Sequence, residues 1–87
     1  MQIIFNNRFE KQYRKLNPIL QRKVDIVIEK FEVNPYDLSL MNHNLTGKLA
    51  GYKSIRVNYN MRIIFTEEGG YTLVHIIQIG THDEVYR

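Results

Sequence analysis

The chain has 87 residues, of which 44% are hydrophobic, and a formal net charge of +3. That length allows one domain (1–87) with one modest core. Cysteine is absent, which excludes a disulfide framework and a thiolate metal site. No apolar run approaches the roughly 20 residues of a membrane span, and Asn6, Asn7 and Arg8 stand where a signal peptide needs its apolar core. A cytoplasmic protein is expected.

In chain order, Met1–Phe5 is a short β-type run that stops at Asn6-Asn7. Asn7 with Glu10 three residues on reads as a variant capping box, predicting a helix from Arg8 to about Leu16 with Phe9, Tyr13 and Leu16 as its apolar stripe. Asn17 caps again and Pro18 suits a first helical position. Leu20, Val24, Val27, Ile28 and Phe31 then recur at helical spacing, and the helix should end near Val33 because Asn34 precedes Pro35. This amphipathic hairpin must cover a sheet.

From Pro35 to Gly47 no period survives, and a loop is expected. Tyr52–Val57 alternates, with Ile55 and Val57 on one face and Ser54 and Arg56 on the other. Asn58-Tyr59-Asn60 can turn the chain into a strand over Met61–Phe65, and Glu67-Glu68-Gly69-Gly70 can turn it again. Tyr71–Ile79 carries branched or aromatic residues on both faces, as a strand covered on both sides does. Beyond Gly80 it delivers an exposed tail, Thr81-His82-Asp83-Glu84-Val85-Tyr86-Arg87. The fold class is therefore α+β: an N-terminal strand and a two-helix hairpin packed on one face of a mainly antiparallel four-stranded sheet, with the polar candidates on the other face.

Charge placement says more than its sum. No acid lies between Asp37 and Glu67, whereas Lys48, Lys53, Arg56 and Arg62 all do. Such a strip fits a polyanion such as RNA or DNA. Whether Arg56 and Arg62 share a face depends on the strand register.

Four segments in this order carry a resemblance: His43-Asn44-Leu45-Thr46-Gly47, Gly51-Tyr52-Lys53-Ser54-Ile55-Arg56-Val57, Met61-Arg62-Ile63-Ile64-Phe65, and Ile79-Gly80-Thr81-His82-Asp83-Glu84-Val85-Tyr86. The chain resembles the RelE/ParE toxin superfamily over nearly its whole length, and most nearly its YafQ-like mRNA-interferase branch. The resemblance implies a toxin of a type II toxin–antitoxin pair that enters the ribosome and cuts mRNA without a metal or other cofactor. It also implies a cognate antitoxin as partner, expected to be acidic and to wrap the toxin as a helix or an added strand. His82 matches the family's Gly-Thr-His position and His43 its H-x-L-x-G histidine. Arg62 matches an arginine of RelE-like members, and Tyr86 matches the aromatic residue of the tail. Arg56 stands where YafQ-like members carry a further histidine, and Asn60 where they carry an aspartate.

Metal-free RNA cleavage needs a base for the 2′-hydroxyl, cations for the phosphorane and an acid for the leaving 5′-oxygen. His43, Arg56, Arg62, His82 and Tyr86 are the catalytic candidates, with Lys48, Lys53 and Asn60 as RNA-binding candidates. Either histidine can take either role. A ParE-like gyrase inhibitor, which needs no acid–base pair, and an inactive antitoxin-binding regulator remain alternatives.

Overall fold

The structure is a computed structural model that describes residues 1–86; Arg87, the end of the expected tail, lies outside the described residues. Strand β1 (Gln2–Phe5) leads into helices α1 (Asn7–Arg14) and α2 (Pro18–Val33). Strands β2 (His43–Asn44), β3 (Lys53–Arg56), β4 (Met61–Glu68) and β5 (Leu73–Thr81) follow, and a single helical turn, α3 (His82–Val85), ends the chain. The sheet order is β1-β5-β4-β3-β2, with β1 parallel to β5 and the other neighbours antiparallel. The sheet thus has five strands rather than the expected four. The extra strand comes from the presumed loop, where His43 and Asn44 pair with Ser54 and Lys53.

The caps explain the helix boundaries. Asn6, not Asn7, caps α1: its side chain accepts from the Phe9 N–H at 2.9 Å while its own N–H donates to the Ile76 carbonyl as an extension of β1. This displaces Glu10 from the position a capping box requires. Asn17 caps α2 as expected, accepting from the Leu20 N–H at 2.9 Å, and α2 stops at Val33. The loop 35–42 is also ordered by local bonds. Asp37 accepts from the Ser39 N–H and hydroxyl, Leu40 is buried, and Asn42 donates to the Pro35 carbonyl and the Tyr71 hydroxyl.

Both helices cover one face of the sheet. Phe9, Val24, Val27 and Phe31 meet Ile55, Val57, Met61, Ile63, Phe65, Val74, Ile76 and Ile79 in the core. Val74, Ile76 and Ile79 cannot share a face under strict period-two alternation, and a bulge resolves the conflict. Phe65 pairs with Ile76 and Ile64 with Gln78, leaving Ile77 as the extra residue. Strand β5 starts two residues later than expected. Gly69, Gly70 and Tyr71 all have positive φ, and the buried Tyr71 ring packs edge-on against Phe31.

Candidate functional site

The register of the three central strands defines the face turned away from the helices. Ile55, Val57, Met61, Ile63 and Phe65 belong to the core, so Ser54, Arg56, Arg62 and Ile64 project to the other side. Two transverse rows result. One runs His43, Ser54, Ile64, Gln78, and the next runs Arg56, Arg62, Gly80, each residue directly opposite its neighbour. Arg56 and Arg62 therefore share a face from adjacent strands, which the sequence left open.

Like charges directly opposite one another destabilise a sheet unless something holds or neutralises them. Arg62 Nη1 donates to the Asn58 carbonyl at 2.7 Å and to the Met61 carbonyl at 3.1 Å, and Arg56 Nη1 lies 3.7 Å from Met41 Sδ. These partners are neutral. The contacts fix each guanidinium in place without cancelling its charge, and the nearest natural complement is an anion gripped between them. Glu67, a candidate surface partner for the arginines, instead accepts from the Tyr71 N–H at 2.7 Å.

Gly80 allows the C-terminal turn to lie on this face. A Cβ added there would stand 3.2 Å from Glu84 Cβ and 3.3 Å from Val85 Cγ1, so a side chain at this position would push α3 away from the Arg62 row by a few tenths of an ångström. Three further devices hold the turn. Thr81 and Glu84 form a reciprocal capping box, Val85 is buried, and the His82 N–H donates to the Asn60 carbonyl at 2.9 Å. What was expected to be an exposed tail is thus folded back onto the sheet. Thr81-x-x-Glu84 is a legible capping-box signal for it.

The turn carries His82 and Tyr86 with ring centroids 4.3 Å apart in an edge-on arrangement. The Tyr86 hydroxyl donates to Ser54 Oγ at 3.0 Å, crossing to the row that contains His43. His82 Nδ1 is 3.9 Å from Asp83 Oδ1, a loose pair between exposed groups. His43 is exposed, and its Nδ1 lies 2.8 Å from the Met41 carbonyl. A carbonyl can only accept, so Nδ1 carries the proton and, in the neutral ring, the lone pair is on Nε2.

The other candidates separate from this group. Lys53 has the parity of Ile55, opposite Phe65, and so lies on the helix-side face, where its ammonium donates to the Asn44 side chain. Lys48 sits exposed in a 3₁₀ turn, Gly47–Leu49, beyond β2. Asn60 holds His82 through its backbone carbonyl and takes part in the hairpin turn, in which Asn58 Oδ1 accepts from the N–H groups of Asn60 and Met61. Site residues that sequence reasoning did not name are Ser54, fully buried at the foot of Tyr86, Gly80 beneath α3, and Asn58, expected as a turn residue but not as the carbonyl that anchors Arg62. Among the described residues no group of three or more His, Cys, Asp or Glu side chains converges to hold a metal ion. Nor is any helix among them long and apolar enough to cross a membrane.

No protein-family model matches the sequence, and no curated protein matches it. Solved structures do match. A YoeB/ParE toxin from Agrobacterium tumefaciens superimposes with a TM-score of 0.77 at 20% identity, covering 94% of this chain and 99% of that one. YafQ from E. coli strain BL21(DE3) gives 0.78 at 17% identity, covering 99% of this chain and 98% of that one. The YoeB–YefM complex of Staphylococcus aureus gives 0.73 at 20% identity, covering 94% and 97%. At such identities the likeness establishes architecture: the chain has the α+β fold of the RelE/ParE-like toxins.

Proposed function

We propose that the chain is the toxin of a toxin–antitoxin pair and acts as a metal-free, ribosome-dependent mRNA endoribonuclease. The observation that carries this reading is the directly opposed pair Arg56 and Arg62 on the sheet face away from the helices, bounded by the His43 row and by the His82/Tyr86 turn. The fold shared with YoeB and YafQ agrees with it, and the YoeB–YefM complex supports an antitoxin partner for this chain as well.

The chemistry follows from the groups present. With Nδ1–H held by the Met41 carbonyl, His43 has Nε2 available to accept the 2′-hydroxyl proton. The 2′-oxygen attacks the adjacent phosphorus, and the two guanidinium groups stabilise the charge that builds on the phosphorane oxygens. The bond from phosphorus to the 5′-oxygen breaks, and His82 gives that oxygen a proton. The products are a 2′,3′-cyclic phosphate and a 5′-hydroxyl. The half-buried Tyr86 ring, set edge-on to His82, offers a stacking face for an unpaired base. Lys48 and Lys53 add long-range attraction for the polyanion rather than contacts at the scissile bond.

The test is single-turnover cleavage of mRNA on programmed ribosomes, with product ends identified. His82→Gln keeps size and hydrogen bonding but cannot hand a proton to the leaving oxygen, so cleavage should slow on the order of 10²–10⁴-fold while binding survives. Undiminished cleavage in a His43→Gln/His82→Gln double variant refutes histidine acid–base catalysis. Absence of cleavage by the unaltered protein refutes the nuclease reading.

A further inference from the structure

Met41 has no role in the chemistry above, yet it touches two of the groups assigned to it. It closes the short 3₁₀ turn Leu38–Leu40 with a left-handed backbone, φ 49° and ψ 44°, its N–H donating to the Leu38 carbonyl at 3.2 Å. A positive φ is uncommon for a residue with a side chain, and here it turns both ends of Met41 toward the site. The carbonyl holds His43 Nδ1 at 2.8 Å, and Sδ lies 3.7 Å from Arg56 Nη1. A thioether is a weak acceptor, so this contact orients the guanidinium without tying up its donors. The same sulfur is the atom of a methionine that peroxides attack. Exposure singles it out: Met41 is 56% exposed and Met61 only 8%. Met1 is also exposed, but it precedes β1, at the edge of the sheet farthest from β2.

We propose that Met41 is a peroxide-sensitive modification site that sets whether Arg56 is free to hold an anion. Hydrogen peroxide gives one oxygen atom to Sδ: a sulfur lone pair forms the S–O bond as the O–O bond breaks, the sulfur loses two electrons, and the peroxide leaves as water. The product carries a strongly dipolar S–O acceptor on the atom that already stands beside Nη1. Arg56 then exchanges a soft sulfur contact for a charge-assisted N–H···O bond. One of its donors is occupied, and the sulfoxide oxygen, itself partly negative, stands where a phosphate oxygen would approach. The grip on the anion therefore weakens from the Arg56 side alone. Arg62 keeps its bonds to the Asn58 and Met61 carbonyls, and His43 keeps its own, because oxidation leaves the backbone carbonyl of Met41 unchanged. The consequence for cleavage rests on the nuclease reading; the capture of Arg56 does not.

The test treats the full chain with hydrogen peroxide and follows oxygen uptake at each methionine by peptide mass spectrometry. Met41 should oxidise at least about tenfold faster than the buried Met61. In NMR spectra the Arg56 side-chain Nε–H signal should shift as Met41 is oxidised, and the Arg62 signal should shift less. Affinity for a fluorescein-labelled uridine decamer, measured by anisotropy, should fall about three- to tenfold and recover when methionine sulfoxide reductases A and B remove the oxygen. Met41→Leu keeps a similar apolar bulk at an exposed position but has no sulfur to oxidise, so its affinity should survive the same treatment. That variant separates Met41 from Met1 and Met61. An unmoved Arg56 signal after complete oxidation of Met41 overturns the proposal, as do an unchanged affinity and an equal loss in Met41→Leu. In the ribosomal assay the oxidised protein should cleave more slowly by a similar factor and recover with the reductases. A shifted Arg56 signal and weakened decamer binding with no cleavage by any form uphold the switch and overturn only the nuclease reading. Cleavage by the unaltered protein with Arg56 unmoved by oxidation does the reverse.

Discussion

Removing one oxygen, in Tyr86→Phe, tests whether the C-terminal turn is held by its hydroxyl or uses that hydroxyl on substrate. Ser54 Oγ is fully buried and takes the Tyr86 hydroxyl at 3.0 Å. A neutral hydrogen bond contributes about 0.5–1.5 kcal/mol net, but leaving a buried polar atom without its partner costs about 1–3 kcal/mol. Tyr86→Phe strands the buried Ser54 oxygen and should cost about 1–2 kcal/mol. Ser54→Ala strands only a half-buried phenol that can turn to water, and should cost about 0.5–1 kcal/mol. The double variant should be no worse than Tyr86→Phe alone, giving an interaction energy of about 1 kcal/mol between the two positions. For a chain of this size each kcal/mol moves the melting temperature by roughly 4–8 °C, so thermal unfolding of the four proteins resolves the cycle. The cleavage assay supplies the second axis. If the hydroxyl only anchors the turn, Tyr86→Phe and Ser54→Ala should slow cleavage by similar modest factors, under about tenfold, since the stacking ring remains. A loss of about 10²-fold or more in Tyr86→Phe with Ser54→Ala near normal would place the hydroxyl on the reacting atoms and refute the anchoring argument. Additive stability losses would refute it independently.

Three further outcomes are expected. Arg62→Ala should slow cleavage about 10²–10³-fold and reduce the salt slope of single-stranded RNA affinity by about 0.7; a slope identical to that of the unaltered protein would remove the phosphate contact. Gly80→Ala should cost about 1–3 kcal/mol by lifting α3, whose Glu84 and Val85 atoms stand 3.2 and 3.3 Å from the new methyl. Unchanged amide signals over residues 82–86 would contradict that crowding. Tyr13 donates its hydroxyl to Asp25 at 2.7 Å, and this bond, aided by some desolvation and the Asp25 charge, raises the tyrosine above its ordinary 10.0. The folded state then holds the proton more tightly than the unfolded one, so this stabilisation is complete below about pH 10 and is lost as pH rises through the raised folded value. Denaturant titrations should show the unaltered protein losing its advantage over Tyr13→Phe only above pH 10, and a constant difference there would contradict the linkage.

Local sequence determined the helices and most of the strands, because caps, breakers and apolar periods act over a few residues. Asn17 with Pro18, the stripe from Leu20 to Phe31, and Asn34 before Pro35 bound α2 with no help from the sheet. The alternation of Ser54–Arg56 against Ile55–Val57 likewise separated the two faces of β3. Chemistry-bearing residue types were legible too: His43, Arg56, Arg62, His82 and Tyr86 could be named, and the helices could be assigned to one face. What joins those residues was decided only by the tertiary structure. A hairpin shaped by Asn58 fixes the register that sets Arg56 against Arg62. The bulge at Ile77 rotates the end of β5 so that Ile79 returns to the core and Gly80 faces α3. The stretch 43–44 becomes a strand only because β3 has an edge to offer, and Tyr86 meets Ser54 across 32 positions of chain. Hydrophobic period states which face of a strand is wet. It holds no information about which residue of another strand lies opposite, because that is settled by turn geometry and by backbone pairing between distant segments.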